Sequence, residues 1–226
     1  MKIQLKNQDY DLIENPTPRC PCMLVLDVSG SMSGDPISLL NQGVNQFIQE
    51  VYQDDFARFA VEVGIITFGS TVDEVIPIQS ILEINVPAFS AMGRTPMGEA
   101  VSKAIEVLEV RKQQYQKRGV SYYQPWIVLM TDGEPTDDKE YPNAAALLRE
   151  LAEDSKMLVF GIGIGDHCNL NKLGKFCPAN RPPKKLAEYR FREFFQWLAQ
   201  SMAKVSVSTP GTGVELPSIG WDKIQI

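Results

Sequence analysis

The feature that most constrains this chain is an alternation. Short, continuous apolar runs are separated by longer amphipathic stretches. "CMLVLDV" (22–28), "FAVEVGIITF" (59–68), "PWIVLMTDG" (125–133) and "KMLVFGIGIG" (156–165) are apolar on consecutive positions. Strands covered on both faces read this way. In "DPISLLNQGVNQFIQEVY", Asp35 can cap and Pro36 takes the first helical position. Ile37, Leu40, Val44, Phe47, Ile48 and Val51 then share one face. "TPMGEAVSKAIEVLEVRKQQ" (95–114) turns Val101, Ala104, Ile105 and Leu108 inward, and "NAAALLRELAED" (143–154) is a third helix. "FREFFQWLAQSMAKV" (191–205) puts Phe191, Phe194, Phe195, Leu198, Met202 and Val205 on one stripe. Helices of this length between apolar strands form right-handed βαβ crossovers. The expected fold is α/β: a doubly wound, mostly parallel central sheet with helices on both faces. "TVDEVIPI" (71–78) follows the second strand too closely for a crossover. It is therefore expected as one antiparallel strand, at an edge because of Pro77.

No repeat or low-complexity tract interrupts the pattern. The organisation expected is an N-terminal extension over 1–19, one domain over 20–206 and a tail over 207–226 that wraps the domain or frays. With 226 residues and 44% hydrophobic content, a sizeable core is possible. The net charge of −6 and a pI of about 5.0, with no Lys/Arg cluster, argue against nucleic acid. "PPKKLAEYRFRE", the most basic stretch, is diluted by acids and apolar residues. No apolar run approaches the ~20 residues that span a bilayer, and "MKIQLKNQDYDLIENPTPRC" lacks the apolar segment of a signal peptide. The expectation is a cytoplasmic protein that does not engage membranes. Four cysteines (Cys20, Cys22, Cys168, Cys177) suit free thiols in a reducing compartment.

Polar chemistry gathers where strands end, which is where ligands bind in such sheets. Asp27-Val28-Ser29-Gly30-Ser31 follows the first strand, Thr95 precedes a helix, and Asp132 ends another strand. In an extended turn every second side chain points the same way, so Asp27, Ser29 and Ser31 can converge. Two carboxylates and three hydroxyls, without nitrogen or sulfur, are the ligands of a hard cation such as Mg²⁺ or Mn²⁺. If the hydroxyls ligate directly and the carboxylates act through water, the ion stays electrophilic. Octahedral geometry then leaves a position for an outside, preferably anionic, oxygen.

Each residue also has a plainer reading. Asp27, Ser29 and Ser31 can be ordinary turn residues, Thr95 before Pro96 can be a helix N-cap, and Asp132 suits a turn. Only the constellation carries the metal reading. Glu134, Asp137 and Asp138 read as a solvated loop rim rather than a second metal site. "GIGIGD" is not a dinucleotide fingerprint, because Asp166 stands where a glycine is needed. Its glycines suit tight packing and a turn. A four-cysteine zinc site would need one pair to travel from the far end of the sheet.

An enzyme would have to use the same aspartate. The alternative function is an Mg²⁺-dependent phosphohydrolase with Asp27 as nucleophile, but Ser29 stands where the second acid belongs. A serine hydrolase would have only His167 as base, and no G-x-S-x-G elbow or P-loop lysine is present. The chain is therefore expected not to be an enzyme.

Asp27-Val28-Ser29-Gly30-Ser31, Thr95 and Asp132 resemble the metal-ion-dependent adhesion site (MIDAS) of von Willebrand factor A domains, with all five positions filled. The resemblance covers roughly residues 20 to 206. "RCPCMLVLDVSGSMSG", "GRTPMGEA", "TDGEPTDD" and "NRPPKKLAEYRFREFFQWLAQSMAKVS" look like single-domain bacterial proteins of the TerY type. That resemblance implies a protein-interaction module in a tellurite-resistance or stress-response system. The partner would supply an Asp or Glu to the metal, and a protein kinase and a PP2C-type phosphatase are the candidates. "GDHCNLNKLGKFCPAN" (165–180), with His167 and two cysteines, departs from the plainer loop the family would carry there.

Overall fold

The apolar runs assemble side by side into one sheet. The computed structural model describes Leu12 and residues 15–166, 168–186 and 189–218. β1 (Cys20–Asp27) and β2 (Val61–Phe68) are buried at every position. β3 (Val72–Ser80) is the half-exposed hairpin partner of β2. β4 (Trp126–Thr131) is again buried throughout, and β5 (Leu158–Ile164) nearly so. A short β6 (Lys184–Leu186) completes the order β3-β2-β1-β4-β5-β6. Only the β2–β3 pair is antiparallel. Pro77 lies on that edge strand, as expected.

Four long helices cover the sheet: α1 (Asp35–Gln53), α2 (Met97–Arg118), α3 (Glu140–Glu153) and α4 (Phe191–Ser206). Successive strand side chains point to opposite faces, and the core divides accordingly. Leu24, Leu26, Val128 and Met130 meet Phe47, Phe195 and Leu198 from α1 and α4. Met23, Val25, Ile127 and Leu129 meet Val101, Leu108 and Leu148 from α2 and α3. Each fully buried side chain of this size contributes about 1.5–3 kcal/mol. The expected inward stripe of α4, Phe191 to Val205, is buried at all six positions.

Several boundaries differ from the sequence expectation. β2 begins at Val61, because the Asp54 carboxylate accepts from the Phe56 and Ala57 N–H groups (3.0 and 2.7 Å) and starts a helical turn over Ala57–Ala60. Asp35 is the first helical residue rather than the cap; Gly34 holds the cap position at φ 86°. Thr95 is not an N-cap, since α2 starts at Met97 with Pro96 at the cap position and no capping side chain. β6 was not expected: three residues inside a charged stretch are too few to show a period.

Gly161 and Gly163 act through their lack of a side chain. A Cβ on Gly161 would stand 2.7 Å from Cys177 Sγ, and one on Gly163 would stand 2.8 Å from Cys168 Sγ. Cys20 and Cys22 lie in the core layer on the opposite face of the sheet. All four thiols are free. Burial pushes Cys20 up to about 12, and Cys168 and Cys177 up to about 11 each, so they stay protonated. His167 lies outside the described residues.

The first part of the tail wraps the domain. Trp197 Nε1 donates to the Pro217 carbonyl (3.0 Å), the Tyr123 hydroxyl to that of Ser208 (2.7 Å), and Val214 and Leu216 pack on the core. At the start of β2, Glu62 is buried with Arg19, Arg111 and Tyr115. Arg111 Nε and Nη2 each donate to one Glu62 oxygen at 2.7 Å, Tyr115 donates at 2.5 Å, and Arg19 Nε lies 3.3 Å away.

Candidate metal centre

The sheet reverses its winding between β1 and β4: β2 lies to one side of β1, and β5 to the far side of β4. The crevice beyond their carboxyl ends is the topological switch point where such sheets bind ligands. Asp27 is the last residue of β1 and Thr131 the last of β4, so both side chains stand at the foot of that crevice.

Asp27 is fully buried. Its Oδ1 accepts from the Ser29 N–H (2.8 Å) and its Oδ2 from the Thr131 hydroxyl (2.6 Å). Burial pushes its carboxyl up to about 6, against the pull of the Ser29 and Thr131 hydrogen bonds, and the charge of Asp132 adds to the rise. From there a line of oxygens leads outward. Ser29 Oγ and Ser31 Oγ are 3.0 Å apart, and Ser31 donates to Asp132 Oδ1 at 2.7 Å. Ser29 is buried, Asp132 half-buried and Ser31 exposed, so the line runs from the core to the surface.

Thr95 reaches the same place through Gly133. A Cβ on Gly133 would stand 3.4 Å from Thr95 Oγ1 and 4.0 Å from Asp27 Oδ2. Both oxygens therefore lie beside Gly133, within ordinary van der Waals reach of that position. Thr95 is buried and held by its backbone: its N–H donates to Thr136 Oγ1 (3.1 Å), and its carbonyl accepts from the Thr136 N–H (2.9 Å). The preceding loop is tied to the β1 loop by Met92 N–H to Val28 O (2.7 Å) and Gly30 N–H to Gly93 O (3.1 Å). Gly93 has φ 87°, and a Cβ on it would stand 2.3 Å from the Ser70 nitrogen. Only glycine fits that turn.

All five sequence-predicted residues thus gather at one crevice. Three contributors escaped the sequence reading. Thr131 orients Asp27; its one signal was a hydroxyl ending an otherwise apolar run. Thr136 clamps Thr95. Asp137 accepts from the Glu99 N–H (2.8 Å) in the first turn of α2, so it is not the solvated rim residue expected. Burial raises its carboxyl above the usual range. Glu134 turns away to Asn169 (2.8 Å) and Lys172 (2.9 Å), which hold its carboxyl below that range.

The donor set is two carboxylates and three hydroxyls. Among the described residues no cluster of three or more His, Cys, Asp or Glu side chains forms, here or elsewhere, so the site rests on hydroxyls as much as on carboxylates. All donors are hard oxygens, the set a hard divalent cation requires.

A family profile, von Willebrand factor type A domain, matches residues 22–203. The chain belongs to this family. Among curated relatives, inter-alpha-trypsin inhibitor heavy chain H3 of Mesocricetus auratus is 23% identical over 155 residues, 67% of this chain and 17% of that protein. The uncharacterized protein sll0103 of Synechocystis is 28% identical over 187 residues, 76% of this chain and 40% of its own length. The chain thus spans well under half of the relatives it matches. Among solved structures, the open conformation of the pilus adhesin SpaC from Lactobacillus rhamnosus GG matches with a TM-score of 0.66 at 16% identity, over 83% of this chain and 30% of that one. Proximal thread matrix protein 1 of the mussel byssus, solved with a zinc-occupied MIDAS motif, matches with a TM-score of 0.56 at 16% identity, over 85% and 46%. The vWA domain fold expected from the sequence is therefore established. No helix of the described residues is long and apolar enough to cross a membrane.

Proposed function

We propose that this vWA domain is a metal-dependent protein-interaction module. The observation that carries the reading is Asp27: a fully buried carboxylate met by one N–H and one hydroxyl, at the foot of an oxygen-lined crevice. A buried carboxylate is costly unless a positive charge compensates it. Ser29, Ser31 and Thr95 would hold Mg²⁺ or Mn²⁺ directly, with Asp27 and Asp132 acting through water or directly. When bound, the ion supplies a Lewis-acidic position for an anionic oxygen from outside. Thr131 and the Ser29 N–H fix Asp27, and Thr136 fixes Thr95, so the donors are preorganised. The partner is a protein offering an Asp or Glu side chain. The all-oxygen set favours Mg²⁺ or Mn²⁺ over the zinc seen in the byssus protein.

The same geometry disfavours hydrolysis by Asp27. At 0% exposure it presents no surface to a phosphoester, and its neighbour two positions on is Ser29 rather than an acid. The TerY-type segments support a bacterial tellurite-resistance or stress-response setting in the cytoplasm, with a protein kinase and a PP2C-type phosphatase as partners.

Calorimetric titration with Mn²⁺ tests the site. Wild type should bind one ion, and Asp27→Ala should not; equal affinity in the two would sink the assignment. For the partner, EDTA and Thr95→Ala should each abolish a complex recovered from the native host. Survival of that complex in saturating EDTA would place binding on another surface.

A further inference from the structure

At the opposite end of the sheet from Asp27 lies a second concave site. Trp126 and Leu158, the paired first residues of β4 and β5, line it from the sheet. The tail segment that Tyr123 and Trp197 hold in place closes another side, with Val214 in the lining. The cavity measures about 710 Å³. That is the size of a small-molecule site rather than of a packing defect.

Three cations line it: Lys112, Lys156 and Arg181. Two are already matched. Lys112 pairs with Glu109 and Lys156 with Asp154, each at 2.8 Å. Arg181 is different. Its guanidinium lies over the Phe160 ring, 5.4 Å from the centroid, and no carboxylate among the described residues pairs with it. Its burial pushes its pKa down from the ordinary arginine value, the mark of a cation desolvated without a counter-charge. An arginine fork held on an aromatic shelf is a ready partner for a planar or tetrahedral anion.

We infer that this cavity binds a small molecule with an apolar body and one anionic head group, a carboxylate or a phosphate. Arg181 pairs with the head group, and Trp126 and Leu158 pack on the body. The site stands apart from the metal centre and does not depend on it.

The test uses the full chain and four probes: benzoate, benzyl phosphate, inorganic phosphate and benzyl alcohol. Saturation-transfer NMR and calorimetry measure affinity, and quenching of Trp126, checked against Trp126→Phe, locates it. Benzoate or benzyl phosphate should bind, and the tighter of the two names the head group. Arg181→Met should weaken that binding about tenfold or more, the worth of a charge-assisted hydrogen bond, and Arg181→Lys should recover part of it. Asp27→Ala should leave it unchanged, so failure of the metal reading would not touch this one. Three results would each overturn the inference: no probe bound at millimolar concentration, Arg181→Met binding as wild type does, or benzyl alcohol or inorganic phosphate binding as tightly as the amphipathic anions.

Discussion

Asp27 and Glu62 are both buried carboxylates on neighbouring parallel strands, at opposite ends of the sheet. Glu62 is answered from within the chain. Arg111 grips both its oxygens, Tyr115 donates to one, and Arg19 stands 3.3 Å from the other. Asp27 is answered by neutral donors alone, an N–H and a hydroxyl. The difference separates structure from function. A carboxylate enclosed by two guanidiniums is closed to anything outside and ties β2 to α2 and to Arg19, just ahead of β1. A carboxylate buried among hydroxyls, at the foot of a crevice, is arranged for a cation that the chain does not supply. Burial depth does not distinguish the two; the charge of the surrounding groups does.

The comparison is broken most severely at Arg111. Arg111→Met leaves Glu62 with only part of its compensation, and removing one partner of a buried ion pair costs about 3–5 kcal/mol. Thermal and urea unfolding should show a loss of that size. The double variant Arg111→Met with Glu62→Gln should recover much of it, since the unpaired charge goes too. If Arg111→Met is neutral, the Arg111 guanidinium does not compensate the buried Glu62 charge, and the contrast with Asp27 fails.

The sequence made one of these sites legible and hid the other. Asp27, Ser29, Ser31, Thr95 and Asp132 stood out because polar residues at the ends of apolar runs have no packing reason to be there. Glu62 also breaks an apolar run, but its partners Arg19 and Arg111 are 43 and 49 residues away along the chain, positions 19 and 111 against 62. No period links them, and Arg111 reads as the polar face of a helix. Fold class was legible for the opposite reason: the β1, β2, β4 and β5 runs carry their burial in consecutive apolar letters. β6 and the turn over Ala57–Ala60 were not, because the first is set by pairing to β5 and the second by the Asp54 side chain. Thr136 and Asp137 were hidden among acidic letters that usually mean solvent.

A second test compares the two carboxylates by titration. Asp27 sits at about 6 in the fold, against an ordinary value of 3.8. A carboxyl raised on folding binds its proton more tightly in the native state, so the native state carries more protons between those values. The slope of stability against pH is then negative. The metal-free protein should lose on the order of 2–3 kcal/mol from this group as pH rises from about 4 to above 6. Unfolding in EDTA, wild type against Asp27→Asn, isolates the effect. Asn should be as stable at pH 7 as wild type or more so, with the Thr131 hydroxyl turning to accept from its amide. A destabilised Asp27→Asn at pH 7 would mean that the charge is already compensated, and the contrast with Glu62 would fail.

The smallest effect concerns the element that joins the two sites. α2 carries Arg111 and Tyr115 to Glu62 in its C-terminal half, while its N-terminal end adjoins Thr95 beside Asp27. That end is held from outside: the Asp137 carboxylate accepts from the Glu99 N–H, and Thr136 clamps Thr95 through two hydrogen bonds. Asp137→Ala removes an acceptor and a negative charge from a helix N-terminus, worth about 1 kcal/mol. Asp137→Asn keeps the acceptor and should lose less. Because Thr95 is only two residues before the first turn of α2, a looser start should also let its hydroxyl drift from the donor set. Mn²⁺ titration should therefore show Asp137→Ala binding more weakly than wild type, with Asp137→Asn between them. Arg111→Met, at the far end of the same helix, should leave Mn²⁺ affinity unchanged wherever the protein is folded. If Asp137→Ala loses stability but binds Mn²⁺ as wild type does, Thr95 is positioned by Thr136 alone, and the two ends of α2 serve the two carboxylates independently.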